Sequence, residues 1–173
     1  MSKFKPDMYK DNIYDINYKK LKKQGIKILI YDFDNTIVEN GNHVVDDKLK
    51  KLFSDLKNNF DVFIISNTLR KSKIDKFAKE CGVLYVMDAR KPFARGYKKV
   101  KNLEEVNSNE ICMIGDQLMT DILGAKRMGF YTVLVKPIKM NENIFTLFNR
   151  FLELFIFRRL NKKYGIKKGN YYD

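Results

Sequence analysis

Ile26 to Phe33 is a short apolar run bounded by Gly25 on one side and by Asp34-Asn35 on the other. Its length suits a buried strand, and the segment after it changes period. Asp46 to Lys57 puts Leu49, Leu52, Phe53 and Leu56 on one helical stripe. The alternation then repeats. Val62-Phe63-Ile64-Ile65 is a second strand ending at Ser66-Asn67-Thr68, Ser72 to Cys81 is a helix stopped by Gly82, and Val83 to Met87 is a third strand. A helix over Phe93 to Leu103, a strand over Ile111 to Ile114, a helix over Leu118 to Met128 and a strand over Tyr131 to Val135 complete the series. Short strands alternating with helices imply parallel pairing with right-handed crossovers. The expected fold class is α/β: a three-layer α/β/α sandwich around a mostly parallel, five-stranded sheet over residues 26–137. Residues 1–25 are expected as an N-terminal helical segment and 138–173 as a C-terminal amphipathic helix with a basic tail, all within one domain of 173 residues.

Sheets of this kind bind ligands outside the carboxyl ends of their strands. Here those ends carry reactive groups. Strand one ends in Asp32 and Asp34, strand two in Ser66 and strand four in Asp116, while Lys91 follows strand three. Residues two apart on an extended chain face the same side. Carboxylates that close repel unless a cation lies between them or one is protonated. Mg²⁺ takes hard oxygen ligands, commonly one or two carboxylates plus substrate phosphate, and Asp116 supplies a further oxygen. That set suits phosphoryl transfer, where catalysis is mostly positioning and charge neutralisation. One carboxylate would attack phosphorus and form an aspartyl-phosphate. The other would protonate the leaving alkoxide and then activate water. Lys91 would balance phosphoryl charge, and Ser66 would donate to the same oxygens. Each residue also has a plainer reading: a turn for Asp32-Phe33-Asp34 and for Asp116, a helix cap for Ser66, a surface charge for Lys91, and a first-turn helix acid for Asp121. Their order at successive strand ends favours a shared site.

With those residues in view, the resemblance to a known superfamily is plain. "IKILIYDFDNT" resembles the first motif of the haloacid dehalogenase (HAD) superfamily, an apolar strand ending in D-x-D-x-T. "VFIISN" is similar to the second, Lys91-Pro92 to the third and "IGDQLMTD" to the fourth. The resemblance implies that Asp32 is nucleophile and metal ligand. It implies that Asp34 is the general acid/base, with its backbone carbonyl on Mg²⁺, and that Asp116 is the remaining carboxylate ligand. Ser66 and Lys91 would hold the phosphoryl group, with Asn67 and Arg90 beside them on the substrate, and Asp121 would act from behind the ligands. An acid at Asp34 favours a phosphatase over a dehalogenase. "DARKPFARGY", "GDQLMTDILGAKRMGFYTVLV" and "NRFLE" further resemble the YqeG family of HAD IIIA phosphatases, which is similar to the phosphatases that convert phosphatidylglycerophosphate to phosphatidylglycerol.

Spacing bears on substrate size. Roughly 30 residues separate Asp34 from Ser66 and about 25 separate Ser66 from Lys91, which one α/β unit consumes. No cap domain fits, so the site is expected to be open to a bulky substrate or to be closed by a second subunit of a homo-oligomer. The formal charge of +13 favours anionic partners: phosphate esters, acidic lipid or nucleic acid. No aromatic pattern resembles a nucleic-acid platform, which argues against the last. The final apolar segment, Glu142 to Leu160, reads as a core or dimer helix, as a membrane-surface helix before a basic tail, or as a spanning helix interrupted by Asn149, Arg150 and Glu153. Two cysteines in apolar stretches, Cys81 and Cys112, suit a reduced intracellular setting, and the N-terminus has no signal-peptide core. The location expected is cytoplasmic, peripheral on the inner face of the cell membrane. His43 is expected in a solvent-exposed loop. Arg90, Arg95, Arg127 and Arg150 are candidates for reading the rest of the substrate or for plain surface charge. Two rival functions remain: a HAD phosphatase of a soluble metabolite or nucleic-acid end, and a non-catalytic binding or regulatory module like a receiver domain.

Overall fold

A computed structural model describes residues 1–39, 44–69, 71–139 and 144–173, so His43 lies outside the described residues. Six strands form one parallel sheet: β1 (Met8–Lys10), β2 (Ile28–Tyr31), β3 (Asp61–Ile65), β4 (Leu84–Val86), β5 (Ile111–Gly115) and β6 (Tyr131–Val135). Their order is β1-β6-β5-β2-β3-β4. Five are the apolar runs of the sequence. The sixth, β1, lies in the segment expected to be helical, where only α1 (Tyr18–Lys23) is an α-helix. Three residues carry no period to read. What fixes this strand is Asp7, whose carboxylate accepts from the Thr132 backbone N–H at 2.8 Å and hydroxyl at 2.9 Å and pairs with Lys126 at 2.6 Å. The outer edge of β1 is then covered by the chain's end, with Tyr9 and Tyr172 exchanging backbone hydrogen bonds of 2.9 and 2.8 Å.

Alternate residues of each strand serve opposite layers. Leu29, Tyr31, Val62 and Ile64 pack with Leu49 and Phe53 of α2 (Asp47–Lys57) and with Ile74 and Phe77 of α3 (Lys71–Cys81). Helix α2 begins where the Asp46 carboxylate accepts from the Leu49 N–H at 2.7 Å. Ile28, Ile30, Phe63 and Ile65 face the other way, onto α4 (Ala94–Leu103) and α5 (Leu123–Arg127). The three layers are those expected, and Cys112 is a core residue. Among the described residues, α2 is the one helix between β2 and β3, and α3 and β4 fill the interval from Ser66 to Lys91.

Two features shape the carboxyl edge of the sheet. The helix expected from Leu118 winds as a π-helix over Leu118–Ile122 before becoming α5. Such turns concentrate at functional sites, and this one carries Asp121 inward. The last helix, α6 (Ile144–Tyr164), lays Phe157 and Leu160 against Leu118, Ile122 and Leu134. Among the described residues no helix is long and apolar enough to cross a membrane, so the spanning reading of this segment has no support.

Candidate active site

The strand order reverses between β2 and β5, which lie side by side at the centre of the sheet. A crevice at such a switch point is where α/β sheets bind ligands. Asp32 leaves β2 there, its backbone N–H donating to the Ile114 carbonyl at 2.9 Å. The chain then turns through Asn35, at a left-handed φ of 63° that asparagine tolerates. The turn returns Thr36 to the site, with its hydroxyl 3.1 Å from Asp116 Oδ1 and 3.4 Å from Asp32 Oδ2. Asp116 follows β5. Asp32, Asp116 and Asp121 are all buried, and each places one carboxylate oxygen within 4.8 Å of the other two.

Lys91 is buried among them. Its ammonium pairs with Asp32 and donates to Asp121 Oδ1 at 2.7 Å. The other oxygen of Asp121 accepts from the Gln117 N–H at 3.0 Å, so Asp121 is tied to the start of its own helical turn. It stands inside the cluster and is fully buried. Asn67 accepts from the Lys91 N–H at 2.7 Å and donates to the Lys91 carbonyl at 3.1 Å. Both ends of its amide thus bond to the Lys91 backbone, and one N–H remains to donate. Ser66 is buried, and its Oγ accepts from the Thr68 N–H at 3.1 Å. A hydroxyl that accepts in this way still has its proton to donate. Arg90 is exposed and donates to both oxygens of Asp88, at 3.2 and 3.3 Å, outside the buried cluster. One oxygen of Asp34 is buried and, among the described residues, has no hydrogen-bond partner.

Helix α6 completes the arrangement. Arg150 donates from Nη1 to the Asp116 carbonyl at 2.6 Å and to Glu153 at 3.1 Å, while Nη2 pairs with the Asp116 carboxylate. Glu153 accepts from the Leu118 N–H at 2.5 Å, satisfying a donor that a helix start leaves unpaired.

Burial raises Asp32 to about 7; Lys91 opposes the shift, and the charge of Asp121 adds to it. Asp116 is raised well above the usual carboxylate range, first by burial, against Arg150 and with help from Asp32 and Asp121. Burial opposes the charge on Lys91, but Asp121 and Asp32 outweigh it and hold the ammonium above the ordinary lysine range. The buried carboxylates of Asp32, Asp116, Asp121 and Glu153 thus outnumber the buried cations Lys91 and Arg150. A hard divalent cation fits this excess of carboxyl groups and this all-oxygen donor set.

Residues 1–139 match the family model described as Mitochondrial PGP phosphatase. The chain belongs to that family. It is a HAD-type phosphatase, a phosphoric monoester hydrolase. The chain is 34% identical over 161 residues to a Bacillus subtilis (strain 168) protein named Probable phosphatase YqeG, covering 92% of this chain and 93% of that protein. It is 29% identical over 162 residues to Phosphatidylglycerophosphate phosphatase 1, chloroplastic/mitochondrial, of Arabidopsis thaliana; the match covers 88% of this chain and 46% of the plant protein. Among solved structures, an uncharacterized Listeria monocytogenes protein superposes with a TM-score of 0.54 at 18% identity, over 69% of this chain and 85% of that one. The HAD-hydrolase YfnB of Bacillus subtilis, solved bound to magnesium, superposes with a TM-score of 0.50 at 15% identity, over 69% of this chain and 90% of that one. These two likenesses concern the fold.

Thr36 and Glu153 of this PGP phosphatase-family site are not among the residues predicted from sequence, and Arg150 is predicted only as one of four arginines that could read the rest of the substrate. Thr36 was visible only as the last letter of D-x-D-x-T. Arg150 and Glu153 looked like polar interruptions of an apolar helix; their spacing of three, shared with the buried Phe157 and Leu160 on one helical face, was the available signal. Gly115 is also required. A Cβ there would stand 2.5 Å from Cγ of Asp121. Gly115→Ala is expected to displace Asp121, unseat Lys91 and cost about 1–3 kcal/mol from overpacking. Thermal melting together with phosphatase assays would check this, the expected result being a lower Tm and a larger fractional loss of kcat.

Proposed function

We propose that this chain is a Mg²⁺-dependent phosphomonoesterase that works through phosphorylated Asp32, with phosphatidylglycerophosphate as its substrate. The observation that carries the reading is the meeting of Asp32, Asp116 and Asp121 within 4.8 Å beside the Lys91 ammonium. Asp32, Asp116 and the backbone at Asp34 would hold the ion, with Asp121 behind them. When bound, Mg²⁺ supplies neutralisation of the carboxylates and of the phosphoryl oxygens.

Asp32 attacks phosphorus, and the bond from phosphorus to the ester oxygen breaks. Asp34 gives its proton to the leaving alkoxide. The same carboxylate then takes a proton from water as that water attacks the aspartyl-phosphate, which releases inorganic phosphate and regenerates Asp32. Lys91 and the Ser66 hydroxyl hold the equatorial oxygens, and Asn67 keeps Lys91 aimed. The unpartnered Asp34 oxygen supports its role, since a buried carboxylate oxygen without a donor is costly unless a ligand completes it. The lipid substrate is supported by the family membership and by the absence of cap-sized structure among the described residues. The direct test is phosphate release from phosphatidylglycerophosphate in vesicles, with and without chelator, beside a panel of soluble esters. Chelator-sensitive release from the lipid is expected. Brisk release from soluble esters with none from the lipid would remove the substrate assignment.

Metal binding should also show in stability. The folded pKa of Asp32, about 7, exceeds its ordinary value of 3.8, so the metal-free fold holds a proton there that the unfolded chain releases. That contribution to stability is full below pH 3.8 and is lost as the pH rises through about 7. Binding Mg²⁺ requires the deprotonated carboxylate. Saturating Mg²⁺ is therefore expected to raise Tm by roughly 5–10 °C above pH 7, and by much less near pH 5. Differential scanning fluorimetry at the two pH values measures this, and Asp116→Asn should abolish most of the shift.

A further inference from the structure

Helix α6 has two unlike faces. Its inner face carries Arg150 and Glu153 against Asp116 and Leu118. Its outer face carries Leu147, Phe148, Phe151, Leu154 and Phe155, which are 45% to 61% exposed. Phe151 and Phe155 meet edge to face at 5.1 Å. Helical periodicity continues this stripe into Arg158 and Lys162, both exposed, and the Arg158 guanidinium lies 5.6 Å from the centre of the Phe155 ring. Exposed Arg159, Lys163, Lys167 and Lys168 follow. The sole acid of α6 is Glu153, and it is buried. Among the described residues the outer face is apolar from Leu147 to Phe155 and basic beyond.

Apolar side chains also stand at the mouth of the site. Leu69, Phe93 and Ile138 follow β3, β4 and β6 and are 76%, 69% and 51% exposed. Because every strand is parallel, all three share the carboxyl edge with the acidic cluster. Exposed Arg95, Lys136 and Lys139 lie in the same segments.

We propose that the outer face of α6, together with Leu69, Phe93 and Ile138, seats on an anionic lipid bilayer, so that the site opens onto the headgroup layer. The proposal rests on the lipid-phosphate reading above and names the surface through which it operates. An apolar stripe running into basic residues is the composition of helices that lie in a membrane interface. Single apolar tips on separate loops around an open mouth suit shallow insertion at one depth. A second copy of the chain would bring another +13 charge against this basic end, whereas anionic lipid attracts it. Arg150 touches Asp116 from the turns that bear Phe148 and Phe151. The stripe therefore stands about one helix diameter, ~10 Å, from that carboxylate. A headgroup phosphate reaches the cluster without its acyl chains leaving the bilayer.

The test is co-sedimentation of the full chain with vesicles of phosphatidylglycerol and phosphatidylcholine, against phosphatidylcholine alone. Two variants are compared, F148S/F151S/F155S and R158E/K162E, with turnover of a soluble phosphate ester measured throughout. The wild type should bind the anionic vesicles preferentially, and less well as salt is raised. The triple variant should lose roughly 100-fold in partitioning. The charge reversal should weaken binding to anionic vesicles alone. Soluble-ester turnover should be unchanged in both, since none of these side chains contacts the buried cluster. Wild-type levels of binding in both variants, no vesicle binding by the wild type, or a stable wild-type dimer that the triple variant dissolves would each overturn the proposal. Vesicle binding without release of phosphate from phosphatidylglycerophosphate would support the docking surface and overturn the substrate assignment alone.

Discussion

Asp32→Asn is expected to lower phosphate release by ~10³-fold or more while leaving the fold intact. An amide has no free carboxylate to form the aspartyl-phosphate, yet it keeps the shape of the side chain and a hydrogen-bond acceptor for Lys91. Lys91 also keeps its 2.7 Å bond to Asp121. The substitution removes one of an excess of buried negative charges, the one raised to about 7 by burial. The metal-free variant should therefore melt no lower than the wild type above pH 7, and higher if the repulsion is strong. Steady-state kinetics on a soluble ester and melting curves in chelator check both halves. An inactive but markedly less stable variant would mean that Asp32 serves mainly to hold Lys91.

Arg150→Ala has the second large effect, through a different route. Arg150 is buried and bonded to the carbonyl and carboxylate of Asp116 and to Glu153. Its removal leaves two buried carboxylates without their cation and costs ~3–5 kcal/mol. For a chain of this size that is a fall of roughly 10 °C in Tm. Asp116 also loses the fork that fixes its orientation, so kcat is expected to drop ~100-fold even where the protein is folded. Arg150→Lys should recover part of the stability and little of the rate, because one ammonium cannot reproduce a planar, forked contact. Glu153→Gln should be milder than Arg150→Ala, since the amide oxygen still accepts from Leu118. Equal losses in all three variants would show that α6 only packs and does not position Asp116.

Sequence reading reached the residues whose placement follows from the chain's own periodicity. Asp32, Ser66 and Asp116 each follow an apolar run, and a parallel sheet of such runs gathers their ends on one edge. Lys91 was legible for the same reason, standing after β4. The strand β1 was not, because three residues have no pattern and their place depends on Asp7 meeting Thr132 and Lys126. For Asn67 and Arg90, nearness in sequence to Ser66 and Lys91 says nothing about where an amide or a guanidinium points. Asn67 turned back to the Lys91 backbone, and Arg90 turned outward to Asp88. Asp121 reads in sequence as a first-turn acid. The π-helical winding of Leu118–Ile122, which has no sequence signature here, accompanies its burial against Lys91. Arg150 and Glu153 belong to a helix whose apolar residues are split between a buried and an exposed face. Their partners lie 34 and 35 positions away, so only the folded chain reveals what they bind.

The most direct test of the account is to capture the covalent intermediate. The Mg²⁺-activated protein is quenched in acid during turnover, digested, and mapped for phosphoryl groups by mass spectrometry. The account predicts a phosphoryl adduct on the peptide carrying Asp32 that requires Mg²⁺ and is absent from Asp32→Asn. Sustained turnover with the adduct on another residue, or turnover that survives in Asp32→Asn, would contradict it.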